Sequence, residues 1–405
     1  MTGPVDSALY HAITHHQAGR LDQAIQLYRQ VLAAQPGLVE AHNNLGIALA
    51  EKGNLAEAVA CYRHALSLAP HRTEILVNLG NALYGQRALA EAAAAYRRAL
   101  EIAPDDAGAL HGLGNLLLRE TSLPGSSRFG GERIDESFAC FAQYAPLAFG
   151  TKGAPQEPPM PHRLRHDREQ SDYLGGNGKF HLADGGRLSL PAVNPEHRND
   201  IEELWRTQRP QIVVIDNFLT DAALEKLRRF CWESTIWRRP HADGYLTALP
   251  EFGLACPLLA QIAAELYAAY PSIFRAHPLR YLWGFKYDST LSGVGVHADQ
   301  AAVNVNFWIT PDEANLDPNS GGLVIWDIAA PLTWNFSRYN GDVAAARDFL
   351  ARSGAKPVRV PHRANRAVIF DSDLFHETDR MTFRPGYLNR RINITLLYGA
   401  RADRS

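Results

Sequence analysis

Cysteine is scarce in this chain and shows no pairing pattern. Cys61, Cys140, Cys231 and Cys256 lie far apart with no Cys-x-x-Cys, which excludes the dense disulfide framework of small secreted domains and favours a reducing, cytoplasmic setting. No apolar run approaches the roughly 18 residues of a membrane span. The start, Met-Thr-Gly-Pro-Val-Asp-Ser, lacks a basic region followed by an apolar stretch, so the sequence reads as soluble and untargeted. A dominant charge is missing too: 41 Lys and Arg stand against 43 Asp and Glu, a net charge of −2, and nothing in that balance attracts nucleic acid or an anionic membrane. What is present is length and apolar content. At about 100 to 200 residues per domain, 405 residues make two or three domains, and 46% apolar against 21% charged residues excludes a mainly disordered chain.

Pro36, Pro70 and Pro104 recur every 34 residues. Ala24, Ala58 and Ala92 keep the same register, as do Tyr28, Tyr62 and Tyr96, and Gly46, Gly80 and Gly114 follow Leu45, Leu79 and Leu113. Small alanines let two helices approach, tyrosine fills the gap beside them, and proline ends the second helix. The pattern resembles the tetratricopeptide repeat, a pair of antiparallel helices per unit. Three units run from about residue 5 to 104, and a fourth opens at Ala107 with Leu110, Leu113, Gly114 and Leu117. Residues 121–131 read as an inserted loop, after which Glu132 to Tyr144 has helical spacing suited to cap the stack. The expected repeat domain is 1–146, an all-α solenoid.

Asn44 and Asn78 share one place on the first helix of their units, and Asn81 and Asn115 share another one turn later. First helices line the concave face of such stacks, where asparagines can hydrogen-bond an extended peptide backbone. The spacing is similar to the asparagine ladder of O-linked N-acetylglucosamine transferase, with two rungs matching. These four residues are therefore candidate peptide-binding positions, against the plainer reading of solvated helix surface, and a protein or peptide is the expected partner.

Residues 147–210 change character. Pro155, Pro158, Pro159 and Pro161 are followed by a polar stretch, but Tyr173, Leu174, Phe180, Leu182 and Leu188 are too apolar for a free tether, so this is a linker or a packed extension of the next domain. His162 and His166 stand at i and i+4 without an acidic or cysteine partner at suitable spacing, which favours surface histidines over a metal pair.

From residue 211 to 405 short apolar runs dominate: 212–215, 281–287, 303–309, 323–326, 367–370 and 392–398. Many short strands imply a sandwich or barrel, and helical spacing over 222–231 and 258–270 makes the class α+β. In the third run Val303, Val305, Phe307 and Ile309 alternate with Asn304, Asn306 and Trp308, so a polar face lies beside a core. Just upstream, His297 and Asp299 flank Ala298, and i and i+2 of an extended segment point the same way. His376 follows another strand and is the best third ligand. Two histidines and one carboxylate on one face of an octahedral ion leave adjacent positions open, the arrangement of non-haem Fe(II) oxygenases. On the last strand Arg391, Asn393 and Thr395 share a face, and an arginine there can hold a carboxylate bidentately.

This constellation resembles the Fe(II)- and 2-oxoglutarate-dependent dioxygenases, especially the prolyl-hydroxylase-like group with its double-stranded β-helix, or jelly roll. The resemblance covers about 211–399. It implies iron ligation by His297, Asp299 and His376, and capture of the distal carboxylate of 2-oxoglutarate by Arg391 with help from Thr395 and Tyr287; Asn306, on the polar face, joins them as a candidate cosubstrate contact. The expected cofactors are Fe(II), 2-oxoglutarate and O2, and because Asp299 supplies a carboxylate, hydroxylation rather than halogenation is the implied outcome. Joined to the repeats, this gives a protein or peptide hydroxylase as the leading reading, with a small-molecule hydroxylase or a repeat scaffold without catalysis as alternatives.

Three further features bear on the site. His241-Ala242-Asp243 repeats the motif without a strand pattern and reads as a loop or lid. Arg390 rivals Arg391, although strand parity puts it with Ile392 and Ile394. Residues 329–366, containing Trp334, Phe336 and Tyr339, form a substrate lid or packed decoration.

Overall fold

The computed structural model describes residues 4–119, 131–150, 160–176, 179–195, 198–288 and 293–401. The expected loop at 121–131 and Pro155, Pro158 and Pro159 lie outside these, apart from Gly131. The chain divides into two compact units, Met1–Gly125 and Ser126–Ser405.

The first unit is a run of helices: α1 (Pro4–Gln17), α2 (Leu21–Ala34), α3 (Val39–Glu51), α4 (Leu55–Leu68), α5 (Thr73–Gly85), α6 (Leu89–Ile102) and α7 (Ala107–Arg119), each packed on its neighbours. Helices α2, α4 and α6 stop two residues before Pro36, Pro70 and Pro104, because proline restricts the residue before it and offers no N–H to a continuing helix. Ala24, Ala58, Ala92, Tyr28, Tyr62 and Tyr96 are all buried. Two glycines are set by close approach: a Cβ on Gly46 would stand 2.5 Å from Tyr62 Cε1, and one on Gly80 would stand 2.6 Å from Tyr96 Cε1. Each ring thus lies against bare backbone.

The fourth unit opens as expected with α7, but the helix expected to cap the stack belongs elsewhere. Helix α8 (Gly131–Phe149) falls in the second unit and packs on the helix Pro257–Ala269 and the turn Pro250–Phe252. Its stripe Ile134, Phe138, Phe141 and Ala145 is buried. The helical spacing was legible; which apolar surface the stripe would meet was not.

The second unit continues with α9 (Pro161–Tyr173), α10 (Arg198–Thr207), β1 (Ile212–Ile215), α11 (Asp221–Glu233), β2 (Arg239–His241), β3 (Tyr245–Ala248), α12 (Pro257–Ala269), α13 (Pro271–Phe274), β4 (Leu279–Tyr287), β5 (Val303–Trp308), β6 (Leu323–Ala329), α14 (Val343–Ser353), β7 (Pro357–Val360), β8 (Ala367–Asp371), β9 (Leu374–Thr378) and β10 (Ile392–Tyr398). Seven strands form one antiparallel sheet in the order β1-β8-β5-β10-β4-β3-β2, and three form another, β7-β6-β9. Ile212, Trp308, Val368 and Phe370 of the large sheet share a core with Leu323, Ile325, Val360 and Leu374 of the small one. All six strands legible in the sequence are present. Strands β2, β3, β7 and β9 are additional to them, each only three to five residues long.

Residues 160–176 and 179–195 are packed structure rather than tether. On α9, Arg163 Nη1 donates to the Arg238 carbonyl at 2.6 Å, Gln170 Nε2 donates to the Ser234 carbonyl at 3.0 Å and to Tyr387 Oη at 2.8 Å, and Glu169 pairs with Arg390. His162 and His166 correct the expectation of surface histidines: both are buried. Burial pushes His166 down to about 3, and its Nδ1 lies 3.2 Å from Asp167. Neither joins a group of metal-ligating side chains among the described residues.

Residues 329–366 are largely packed. They hold a π-helical turn (Ser337–Gly341), α14 and β7, and Tyr339, Ala346 and Leu350 share a core with Val296, Ala298, Trp326 and Phe375. Phe336 remains half exposed at 51%.

Candidate metal centre

His297, Asp299 and His376 converge. One ligand atom from each lies within 4.8 Å of the others, the one such group among the described residues. His297 Nε2 is 3.7 Å from Asp299 Oδ1, His376 Nε2 is 3.4 Å from Asp299 Oδ2, and the imidazole centroids are 4.3 Å apart. The backbone explains this meeting across the sequence. His297 and His376 exchange N–H···O bonds of 2.9 and 2.8 Å, an isolated antiparallel bridge alongside β9, which also pairs with β6, and Asp299 N donates to the Ser372 carbonyl at 3.1 Å. His376 follows the buried strand β8 as expected, and it sits within a further short strand, β9, that the sequence did not show.

The ring orientations suit metal ligation. His297 Nδ1 meets the Gly295 carbonyl at 2.8 Å and His376 Nδ1 meets the Leu374 carbonyl at 3.0 Å. A carbonyl only accepts, so Nδ1 carries the proton in both rings and each Nε2 lone pair is left for an ion. Asn304 Nδ2 donates to Asp299 Oδ2 at 2.8 Å. Burial, reinforced by His376, pushes His297 down to about 4, against the pull of Asp299. Burial pushes the Asp299 carboxyl up, but His376, His297 and Asn304 together outweigh it and hold the group below the usual carboxylate range. A neutral imidazole beside an anionic carboxylate is the donor set a divalent ion needs.

Of the expected cosubstrate residues, Tyr287, Asn306 and Thr395 gather next to this trio. Together with Asn393 they line a small cavity of about 50 Å³ with His297, Asp299 and His376, whereas Arg391 lines neither this cavity nor the larger one that opens onto His297 and Asp299. Register places them side by side on the inner face of the large sheet, with Thr395 opposite both Trp283 and Asn306. Asn306 Nδ2 donates to Thr395 Oγ1 at 2.9 Å, and Tyr287 Oη is 3.3 Å from Thr378 Oγ1. Arg391 is buried at 1% exposure. Its Nε donates to the Gly321 carbonyl at 2.5 Å, Nη2 to the Gly322 carbonyl at 3.1 Å and Nη1 to Asn393 Oδ1 at 3.0 Å, with the guanidinium 4.5 Å from the Tyr287 ring centroid. These partners are neutral, so the cation keeps its attraction for an anion. Parity separates the rivals: Arg390 turns away to Glu169 at 2.8 Å and Asp288 at 3.3 Å.

A second, larger cavity of about 560 Å³ opens onto His297 and Asp299. Tyr281, Trp283 and Phe285, on one face of β4, form its aromatic wall beside Tyr245 and Thr247 of β3. His241 and Asp243 line it too: Ala242 and Asp243 form the turn of the β2–β3 hairpin, in keeping with the loop reading, while His241 lies at the end of β2 at the edge of the large sheet. His241 stacks on Tyr245 with centroids 4.3 Å apart, its Nε2 is 2.8 Å from Thr247 Oγ1, and burial pushes it down to about 4. The aromatic wall lies outside the metal-ligand motifs, although Tyr281, Trp283, Phe285 and Tyr287 alternate visibly in the sequence.

In the repeat unit three of the four candidate asparagines are engaged with the chain itself. Asn78 Nδ2 donates to Asn43 Oδ1 at 3.1 Å, Tyr96 Oη donates to Asn81 Oδ1 at 2.7 Å, and Asn115 Nδ2 donates to the His111 carbonyl at 3.1 Å. Asn44 is half-buried.

Comparison with known proteins finds two matches to family models, both described as tetratricopeptide repeat, at residues 11–72 and 73–106. No curated protein matches the chain. Among solved structures it is similar to the first TPR of Spaghetti bound to an HSP90 peptide (22% identity, 29% of this chain and 92% of that one, TM-score 0.28). It is also similar to MamA (21%, 33% and 80%, 0.28) and to a mutant O-GlcNAc transferase of Thermobaculum terrenum (24%, 40% and 31%, 0.33). The N-terminal region therefore carries tetratricopeptide repeats, and a β-rich region of antiparallel sheets follows it.

Proposed function

We propose that the second unit is an Fe(II)- and 2-oxoglutarate-dependent oxygenase of the prolyl-hydroxylase-like group, its two sheets a double-stranded β-helix, hydroxylating a protein or peptide recruited by the repeats. The observation that carries this reading is the convergence of His297, Asp299 and His376 within 4.8 Å, with His297 and Asp299 reaching an aromatic-walled cavity. The donor set fits iron: two Nε2 lone pairs freed by carbonyl-bound Nδ1 atoms, one carboxylate, and an unpartnered buried Asn306 Oδ1 in the adjoining cavity.

Iron(II) bound there with 2-oxoglutarate and O2 supplies oxidative decarboxylation coupled to hydroxylation of a C–H bond. The chain's own part is binding and exclusion of water. Arg391 holds the distal carboxylate of 2-oxoglutarate, with Thr395, Asn306 and Tyr287 bordering its path, and Tyr281, Trp283 and Phe285 bury the substrate against the ligand edge. Repeats of this class present extended binding surfaces, which supports a macromolecular substrate. Four free thiols support a reducing, cytoplasmic setting. Among the described residues no helix is long and apolar enough to cross a membrane.

Anaerobic loading with Fe(II), followed by 2-oxoglutarate and O2, gives succinate in the wild type even without a substrate, through uncoupled turnover, and none in His376→Ala. Absence of succinate from the wild type with every peptide tried would refute the oxygenase.

A further inference from the structure

We infer that Asn340 is a positioning residue for the metal-ligand strand, and that the π-helical turn carrying it braces the ligands while forming part of the cavity wall. This rests on the metal-centre reading above.

Two peptide units join His297 to Asp299, and both are held by that turn. The Ala298 N–H donates to the Tyr339 carbonyl at 2.9 Å, and Asn340 Nδ2 donates to the Ala298 carbonyl at 2.9 Å. Ala298 itself is fully buried against Tyr339. The tilt of the second peptide unit sets where the Asp299 side chain leaves the backbone, so the Asn340 amide, together with the Ser372 carbonyl that accepts from Asp299 N at 3.1 Å, orients the carboxylate ligand. The same turn faces the cavity: Phe336, Asn340 and Val343 line it beside His297 and Asp299. A π-helical turn leaves i→i+4 bonding and is most often kept where function repays it. Here it lets Tyr339 and Asn340, consecutive residues, address one alanine with a backbone carbonyl and a side-chain amide. A substrate lying on Phe336 therefore presses on the element that orients the ligands.

The test is anaerobic Co(II) titration of the full chain, read by absorbance of the bound ion, for the wild type, Asn340→Ala, Asn340→Asp and Leu332→Ser. The Asp variant keeps the shape and removes the donor; Leu332, 76% exposed on the same insertion, is the control. Both Asn340 variants weaken Co(II) binding about 10- to 100-fold, as loss of outer-shell partners does. Leu332→Ser binds as the wild type, and the metal-free unfolding midpoints of all four agree. Wild-type affinity in Asn340→Ala overturns the inference, as does a loss of affinity that merely tracks a lowered metal-free midpoint. A wild type that binds no Co(II) overturns the metal centre itself, and the inference with it.

Discussion

Asp299→Asn separates what the trio does for the fold from what it does for an ion. The substitution keeps the shape, and the amide oxygen of the new side chain accepts the bond that Asn304 Nδ2 now gives to Asp299 Oδ2 at 2.8 Å. The metal-free protein therefore loses only the charge-assisted part of that bond, about 0.5–1.5 kcal/mol. The metal-bound protein loses its one anionic ligand. An ion at 100 times its dissociation constant stabilises the folded state by about 2.7 kcal/mol. For a unit the size of Ser126–Ser405 each kcal/mol moves the midpoint by about 2–4 °C, so wild type gains about 5–10 °C on adding Fe(II) or Mn(II) and the variant gains almost nothing. The assay is unusually clean because all seven tryptophans, Trp205 to Trp334, lie in the second unit. Anaerobic melting followed by tryptophan fluorescence, with metal or chelator, reports that unit alone. Equal metal-induced shifts in the two proteins, or none in the wild type, refute the assignment of Asp299 as a ligand.

Gly80→Ala drives a methyl to within 2.6 Å of Tyr96 Cε1 in a packed interface; the overpacking cost of about 1–3 kcal/mol exceeds the roughly 1 kcal/mol gained in helix propensity, and far-UV melting of the repeat transition shows a net loss. Gly37→Ala, with open space around it, shows no overpacking loss. His166 and His362 are both pushed by burial to about 3, so the unfolded chain binds more protons between pH 6.5 and 3. Stability is whole above about 6.5 and is lost as pH falls, by up to about 2 kcal/mol per histidine at pH 5; denaturant midpoints at pH 7.5 and 5 that coincide would count against it. Arg391→Met abolishes 2-oxoglutarate binding by calorimetry. Arg390→Met leaves Glu169 without its ion pair, while Asp288 keeps Arg165 at 3.2 Å, and destabilises by about 1–3 kcal/mol. Reversed effects would exchange the roles of the two arginines.

The repeats were legible because each contact there is local and recurs. Pro36, Pro70 and Pro104 mark helix ends in one frame, and Tyr62 and Tyr96 meet Gly46 and Gly80 of the same unit pair. Strand β10 was legible for a similar reason, since its period-2 alternation reports a sheet with two chemically different faces. Helix α8 had the right period and the wrong assigned neighbour, because amphipathicity names a buried face without naming what buries it. The connector histidines failed similarly: His162 and His166 sit in a polar stretch, yet α9 carries them into the second unit, where Gln170 and Glu169 anchor the helix.

The hairpin β2–β3 shows the limit most clearly. Arg239–His241 is three residues long and contains Pro240, which reads as a break, yet at the terminal edge of a sheet a strand may lack an N–H on its open side. Its place is fixed by pairing with β3, whose Tyr245 and Thr247 sit opposite Tyr287 and Phe285 of β4. Only that register turns His241 toward the cavity and makes the duplicate His-Ala-Asp a wall beside the ligand-bearing one. What distinguishes the two copies is the strand each faces. His297 meets β9 and so finds His376, whereas His241 meets β3 and finds Thr247 and Tyr245. On the proposed metal-centre reading, which histidine becomes a ligand is a property of strand pairing, with the tripeptide supplying only the donors.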